Sequence, residues 1–380
     1  MIKLMIGGDI VPTESNSLFF CCPEQGKLVD EGIENLLKQA DYRIFNLETP
    51  LTGSRRRATK FGPSLSAEKE CVRGLQELGT DFVTLANNHI LDYGEEGLCD
   101  TMETLRNAGI EFAGAGRDLF AAAKPFYADV KECRIGIYAC AEHEFSIAGE
   151  KTPGANPFDP LESLDQIASM KKECDYLVVL YHGGKEFYRY PTPWLKKVCE
   201  KCVEKGADLV LCQHSHCIGA MQEYQGATII YGQGNFLFDR KSDEFWDSGL
   251  LIGVELENGR AEVHCYPIIK ESGRVRLAGE QEGALLLDGL RQRTSEIEQE
   301  ENVEKLYSDY ANTRRNAYLQ AFLGKRARSF GFRLWNRLMG RRLIQRQFSQ
   351  EDQVRLLNYL ECEAHRELII RFLRNNEIEE

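Results

Sequence analysis

No run of eighteen or more apolar residues occurs in the 380-residue chain, so no transmembrane helix is expected. A disulfide framework is missing too. The thirteen cysteines are odd in number and scattered without framework spacing, which points to reduced thiols. The first strand-like run begins at Lys3 and leaves no room for a secretion signal, so the expected location is the cytoplasm. Internal repeats are absent as well, which sets aside solenoids and propellers. With 43% hydrophobic residues the composition is that of an ordinary soluble globular protein.

Acidic residues are lacking over one long stretch. Between Tyr310 and Gln350 there is no Asp or Glu, while Arg314, Arg315, Lys325, Arg326, Arg328, Arg333, Arg337, Arg341, Arg342 and Arg346 supply ten positive charges in a chain whose formal net charge is −12. Leu319, Phe322, Phe330, Leu334, Trp335 and Leu338 are spaced for apolar helix faces among these arginines, with Gly324, Gly331 and Gly340 as breaks. Arginine interleaved with aromatics fits an anionic membrane surface or an acidic polymer, and peripheral placement at a membrane is one expectation; packing against an acidic domain is the alternative. Nucleic acid is not the expected target.

What is present is a series of short apolar runs, each ending in a polar residue. Lys3–Asp9, Tyr42–Glu48, Phe82–Asn88, Tyr176–His182 and Leu209–His214 read as strands covered on both faces, with helix-like segments between them. Those segments are Asp30–Ala40, Ser66–Leu78, Gly94–Ala108, Leu161–Lys172 and Pro193–Lys205, and Asp92-Tyr-Gly-Glu95 resembles a capping box before the third. An α/β sheet follows, in which loops at the carboxyl ends of the strands form the ligand crevice. Asn258-Gly259 marks a hairpin turn. After about Lys270 the chain turns helical and charged, which suggests a catalytic domain over 1–270 and a basic helical appendage over 271–380.

The residues at the strand ends are Asp9, Glu48, Asn88, His89, His182, His214 and His216. A lone histidine at a strand end is more often a hydrogen-bonded structural residue. A carboxylate pair, an amide and four imidazoles in one crevice instead favour shared metal coordination. Asp92 suits a helix N-cap and equally an orienter of His89, and the two roles are compatible. Cys212 and Cys217 flank His214-Ser-His216 and raise a zinc knot as an alternative, although strand alternation places Cys212 with His214 and Cys217 on the other side. Cys199-Glu-Lys-Cys202 has redox spacing but sits in a helix-like segment.

Gly7-Gly-Asp9, Asn46-Leu-Glu-Thr-Pro-Leu51, Ala86-Asn-Asn-His-Ile-Leu-Asp-Tyr-Gly94, His182-Gly-Gly184, Gln213-His-Ser-His216 and Tyr231-Gly-Gln-Gly-Asn-Phe236 together resemble the ordered motifs of the CapA-like family of poly-γ-glutamate capsule synthesis. That family in turn resembles the calcineurin-like metallophosphoesterases. The resemblance implies a four-layer α/β/β/α sandwich, here with a C-terminal helical extension, and two divalent ions (Mn, Fe or Zn) that activate water. It implies that Glu48 bridges the ions, that Asp9 and His216 hold the first, that Asn88, His182 and His214 hold the second, and that His89 is the acid–base. Val11 stands where metallophosphoesterases carry another histidine, so one ion is expected to be weakly held.

The implied activity is hydrolysis of a phosphoester or of an anionic polymer such as poly-γ-glutamate or cell-envelope material. Metal-assisted peptide-type chemistry and a non-catalytic role in polymer assembly are alternatives. Arg55, Arg56, Arg57 and Lys60 form a cationic cluster after the Glu48 motif and suit an anionic substrate. His143 and Asn235, each near a strand end, are further candidates for substrate contact.

Overall fold

A computed structural model describes residues 1–239, 244–324, 327, 329–339 and 342–375. Its first strands are β1 (Ile2–Ile10), β2 (Tyr42–Leu47), β3 (Phe82–Thr84), β4 (Glu111–Ala113), β5 (Ala115–Gly116), β6 (Phe126–Val130), β7 (Cys133–Ala141) and β8 (Gly154–Ala155). They are followed by β9 (Tyr176–His182), β10 (Leu209–Gln213), β11 (Met221–Tyr224), β12 (Ala227–Ile230), β13 (Asn235–Leu237), β14 (Ser248–Glu257), β15 (Arg260–Glu271) and β16 (Arg274–Leu277). One sheet runs in the order β16-β15-β14-β1-β2-β3-β4, with β13 also paired to β1; the second runs β11-β12-β10-β9-β7-β6.

The sheets pack face to face because their buried strands are apolar on both sides. In β9, Val178 and Leu180 enter one core with Ile6, Ile44 and Val83 of the first sheet, whereas Leu177, Val179 and Tyr181 face the helices Ser163–Lys171 and Pro193–Glu204 through Ile167, Met170, Leu195 and Val198. Strand alternation thus sorts consecutive residues into two cores. Helices Glu31–Gln39 and Gly94–Ala108 cover the outer face of the first sheet through Ile33, Leu37, Leu98 and Met102. The result is the expected four-layer α/β/β/α sandwich. Each fully buried Leu or Ile contributes roughly 1.5–3 kcal/mol.

β1, β2, β3 and β4 are mutually parallel, and so are β7, β9, β10 and β12. Carboxyl ends of strands from both sheets therefore open on one crevice. There β13 joins β1 with Asp9 opposite Asn235 and a register shift after Asp9. The approach is so close that a Cβ at Gly8 would lie 2.1 Å from the Gly234 carbonyl oxygen. Only glycine fits that position. The Asn258-Gly259 turn has φ of +52° and +75° and closes the β14–β15 hairpin, as the two-residue turn chemistry requires.

Met1–Glu304 is one compact unit and Lys305–Glu380 another. The sequence expectation placed a boundary between 270 and 271. That point falls inside β15, whose Ile268 and Lys270 are buried, and helix Glu280–Ile297 buries Leu290 and Ile297 in the cores of the first unit. The second unit is helical over Phe330–Leu338, Arg342–Arg346, Gln350–Glu361 and Glu363–Asn375. Lys325, Arg326, Arg328, Gly340 and Arg341 of the basic stretch lie outside the described residues.

Candidate metal centre

Each candidate ligand stands at, or just beyond, the end of a strand. Asp9 is the penultimate residue of β1, Glu48 directly follows β2, Asn88 follows β3, His182 ends β9, and His214 and His216 follow β10. Glu48, His214 and His216 bring ligand atoms within 4.8 Å of one another, and all three are buried. His182 Nε2 lies 3.3 Å from Glu48 Oε1 and 3.1 Å from Asn88 Oδ1. His216 Nδ1 donates to Asn235 Oδ1 at 2.8 Å and lies 3.5 Å from Asp9 Oδ2. The six residues named from the sequence thus converge.

Alternation alone would have misplaced His214. Cys212 points outward into the helix-facing core, with its Sγ 3.5 Å from that of Cys199. After Gln213 the chain leaves the strand, and His214 and His216 take φ of +89° and +55°. Two non-glycine residues in left-handed conformations within three positions are strained and are characteristic of a functional site. The strain turns both imidazoles into the crevice while leaving Cys212 behind, which removes the zinc-knot alternative. Cys199 and Cys202 are both buried in the same packed core, and both are free thiols.

Glu48 decides the chemistry. It is fully buried, neither carboxylate oxygen has a hydrogen bond of good geometry, and its close charged neighbour is His182 Nε2 at 3.3 Å from Oε1. A buried carboxylate without well-formed hydrogen bonds is costly and is stabilised by a cation beside it. Nδ1 of His214 likewise lacks a hydrogen bond. Oxygen and imidazole donors arranged around such a carboxylate suit a borderline divalent ion.

The surrounding charges fit this reading. Burial would push the Asp9 carboxyl up, but His216, His182 and the Asn46 amide outweigh it and hold it below the usual range. His216 is pushed down by burial and pulled back further by Glu48 and Asp9, to about 9. His182 is likewise raised, burial being outweighed by Glu48 and Asp9. His214 is the exception: burial and then the neighbouring His182, His216 and His89 drive it well below the usual value, so it stays neutral with a lone pair to offer.

Several supporting residues went unassigned in the sequence. Asn46 Nδ2 donates to Asp9 Oδ1 at 2.7 Å and faces His182 Nδ1 at 3.2 Å, while Asn87 Nδ2 donates to Leu47 O at 2.8 Å. Both amides lie inside the recognised motifs, so the signal was there without a role attached. The Trp246 ring stacks on His216 at 4.6 Å between centroids, and Phe238 meets the same imidazole edge-on at 5.6 Å. No periodicity marked these aromatics. Glu144 Oε1 comes within 3.5 Å of His214 Nε2, whereas its neighbour His143 is exposed.

Two expectations change on the other side of the crevice. Asp92 does not cap helix Gly94–Ala108, whose N-cap is Tyr93. Its carboxylate instead receives the Leu65 amide at 2.6 Å, lies 2.7 Å from His89 Nδ1 and pairs with the Lys60 ammonium. Lys60 is therefore turned inward, with its Nζ also 3.1 Å from His89 Nδ1 and 4.7 Å from the Phe145 ring centroid. It is not a free arm for substrate. Arg55, Arg56 and Arg57 remain exposed, with Arg57 Nε donating to Tyr93 Oη at 3.3 Å. Asn235 is buried beneath His216 as its hydrogen-bond acceptor, not on the open wall. Val11 is buried, its amide donating to Leu237 O at 3.0 Å, and it brings no ligand to the cluster.

The model of the bacterial capsule synthesis protein family PGA_cap matches residues 3–240. The chain belongs to this family. The Capsule biosynthesis protein CapA of Bacillus anthracis is 30% identical over 246 residues, covering 62% of this chain and 60% of that protein. The PGA biosynthesis protein CapA of Bacillus subtilis (strain 168) is 30% identical over 241 residues, covering 62% and 63%. A probable polyglutamine synthesis accessory protein of Mycobacterium tuberculosis is 30% identical over 212 residues, covering 52% and 56%. The chain thus spans about three fifths of these PGA_cap relatives. Among solved structures, a phosphatase from Mycoplasma pneumoniae is similar with a TM-score of 0.44 and 15% identity, over 71% of this chain and 94% of that one. A 5′-nucleotidase precursor from Thermus thermophilus gives 0.43 and 13%, over 77% and 58%. Likenesses this distant assign no residue roles in the PGA_cap chain.

Proposed function

We propose that this PGA_cap-family chain is a metal-dependent hydrolase acting on a phosphoester or on an anionic polymer of the poly-γ-glutamate kind. The buried Glu48 carboxylate, without a well-formed hydrogen bond and surrounded by His182, His214 and His216, carries the reading. Glu48 would hold two divalent ions, with Asp9 and His216 on one side and Asn88, His182 and His214 on the other. Divalent ions so held polarise a substrate oxygen and make water acidic enough to attack.

The chain's own groups do the rest. Asn235 fixes the His216 tautomer, leaving Nε2 free, and Asn46 tethers Asp9. His89, with Asp92 and Lys60 both at its Nδ1, presents its other ring nitrogen as the proton donor to the leaving group. The Bacillus relatives are named for capsule and PGA biosynthesis, and a second reading at the same site is metal-assisted cleavage or transfer of an amide in a carboxylate-bearing polymer. The exposed Phe330, Trp335 and Leu338 of helix Phe330–Leu338, next to Arg337, would serve placement on an anionic lipid surface.

Elemental analysis of purified protein, joined to turnover assays on phosphate mono- and diesters and γ-glutamyl peptides, tests the reading. One to two manganese, iron or zinc ions per chain and turnover on one of these classes are expected. Absence of uptake of all three metals by calorimetry would rule the proposal out.

A further inference from the structure

A second groove, sharing no residue with the Glu48 cluster, runs along the free edges of both sheets. β4 ends the first sheet and β6 ends the second, and both line this groove of about 1010 Å³. Helix Gly94–Ala108 walls it through Met102 and Arg106, and helix Leu119–Ala122 through Phe120 and Ala121. The Phe126 ring packs on Phe82 with centroids 4.6 Å apart, which anchors the β6 bank on the first sheet.

Four cations line the groove: Arg106, Arg117, Lys124 and Arg134. Two are held in place over rings, the Arg106 guanidinium 5.1 Å from the Phe112 centroid on one bank and that of Arg134 4.6 Å from Tyr127 on the other. Among the described residues, Arg106, Arg117 and Lys124 form no ion pair, and Arg134 has only Asp129 at 4.0 Å. Two acids line the groove, Glu111 and Asp118, and Asp118 is engaged in accepting the Ala121 amide at 2.8 Å. Four cations against two lining acids, with two of the cations held over rings, leave an excess of positive charge that suits an anion.

The shape narrows the ligand further. A small anion needs donors converging on a point, whereas these cations are spread along a trough at the upper end of the size range of small-ligand pockets. Among the described residues, β4 and β6 each have a strand partner on one side only, and such edges bind amide groups by strand-like addition. We infer that this groove is a second, non-catalytic site for an extended polyanionic polyamide, a chain of carboxylate-bearing units joined by amide bonds. The occupant rests on the polymer arm of the proposed function, and the site itself does not rest on hydrolysis.

The test uses the full chain and a fluorescein-labelled γ-linked glutamate oligomer of about twenty units, followed by anisotropy at two salt concentrations. Arg106→Glu/Arg117→Glu/Lys124→Glu should weaken binding at least about tenfold and flatten its salt dependence, with metal content and turnover of a small phosphate ester unchanged. Arg117→Glu/Lys124→Glu, which leaves the ring-stacked arginines alone, should show the same direction with a smaller effect. Undiminished oligomer binding by both variants would overturn the site. Polyphosphate of equal charge binding at least as tightly, with the same sensitivity to the variants, would overturn the polyamide assignment. Small-ester turnover in the same preparations reports on the hydrolase reading separately, so either can fail alone.

Discussion

The two compact units treat apolar side chains in opposite ways. In Met1–Glu304 they form two continuous cores, and eight large hydrophobic residues are exposed among those described; in the much shorter Lys305–Glu380, fifteen are. In the first unit the informative exceptions are therefore buried polar groups, and Glu48, Asp9 and the three imidazoles are the ones that converge. In the second the informative exceptions are apolar groups left in water, which is the signature of a contact surface. The proposed function therefore places chemistry in the first unit and contact with a surface in the second.

The sharpest way to break this division is at His89. If it moves a proton and holds no ion, His89→Ala should lower turnover roughly 10²–10⁴-fold while the metal content stays at the wild-type value. Glu48→Gln is the contrasting variant, expected to lose metal and turnover together. Metal lost equally from both would make His89 a ligand and undo its assignment. Lys60→Met should fall between wild type and His89→Ala in turnover, because it removes one of the two groups that hold the His89 Nδ1 side.

These outcomes bear on residues that were largely legible beforehand. Asp9, Glu48, Asn88, His182, His214 and His216 could be read because parallel strands must end in a common crevice, so position in the run implied position in space. Helix Gly94–Ala108 was legible to the residue from its apolar spacing and the glycine after it. What could not be read depends on loops folding back. Lys60 meets Asp92 across 32 positions, and Trp246 reaches His216 across 30, with no periodic signal in either segment. Of the two roles read for Asp92, the helix cap does not form, whereas its 2.7 Å contact with His89 Nδ1 fits the orienting role; the inward Lys60 and the Leu65 amide on the same carboxylate were not legible. The cationic groove was equally hidden, since it arises where the last strands of two sheets meet.

A second, smaller effect sharpens the comparison between the units. A chain ending at Glu304 keeps β15, β16, helix Glu280–Ile297 and the buried Val303, so it should hold metal and turn over small esters as the full chain does. Vesicles rich in acidic phospholipid should then bind the full chain at least about tenfold more tightly than the shortened one, with an advantage that falls as salt rises. Sedimentation of both proteins with the vesicles measures this. Loss of turnover in a folded, metal-loaded chain ending at Glu304 would show that chemistry is not confined to the first unit.

The smallest effect concerns Lys270, at the point where composition first suggested a boundary. Its ammonium is buried under the crevice and donates to Asn235 O at 3.1 Å and Ser248 O at 2.9 Å, so this residue is integral to the first unit. Burial pushes its pKa down to about 7, with Asp247, Asp9 and Asp239 pulling partly the other way. In the unfolded chain the same group titrates near 10.4. The unfolded state therefore binds the extra proton between these values, and stability should rise with pH across that window and be lowest below about 7. His216, raised to about 9, acts with the opposite sign, because its contribution is lost as pH rises through that value. Comparing wild type with Lys270→Met in chelator cancels the histidine term and leaves the lysine alone. From pH 6 to pH 9, urea denaturation should show the wild type gaining on the order of 2 kcal/mol relative to the variant. The variant's absolute stability is immaterial to that difference, although two carbonyls lose their donor. A parallel pair of pH profiles would mean that Lys270 keeps its charge in the folded state, held there by the surrounding carboxylates, and that the crevice floor is more polar than its burial implies.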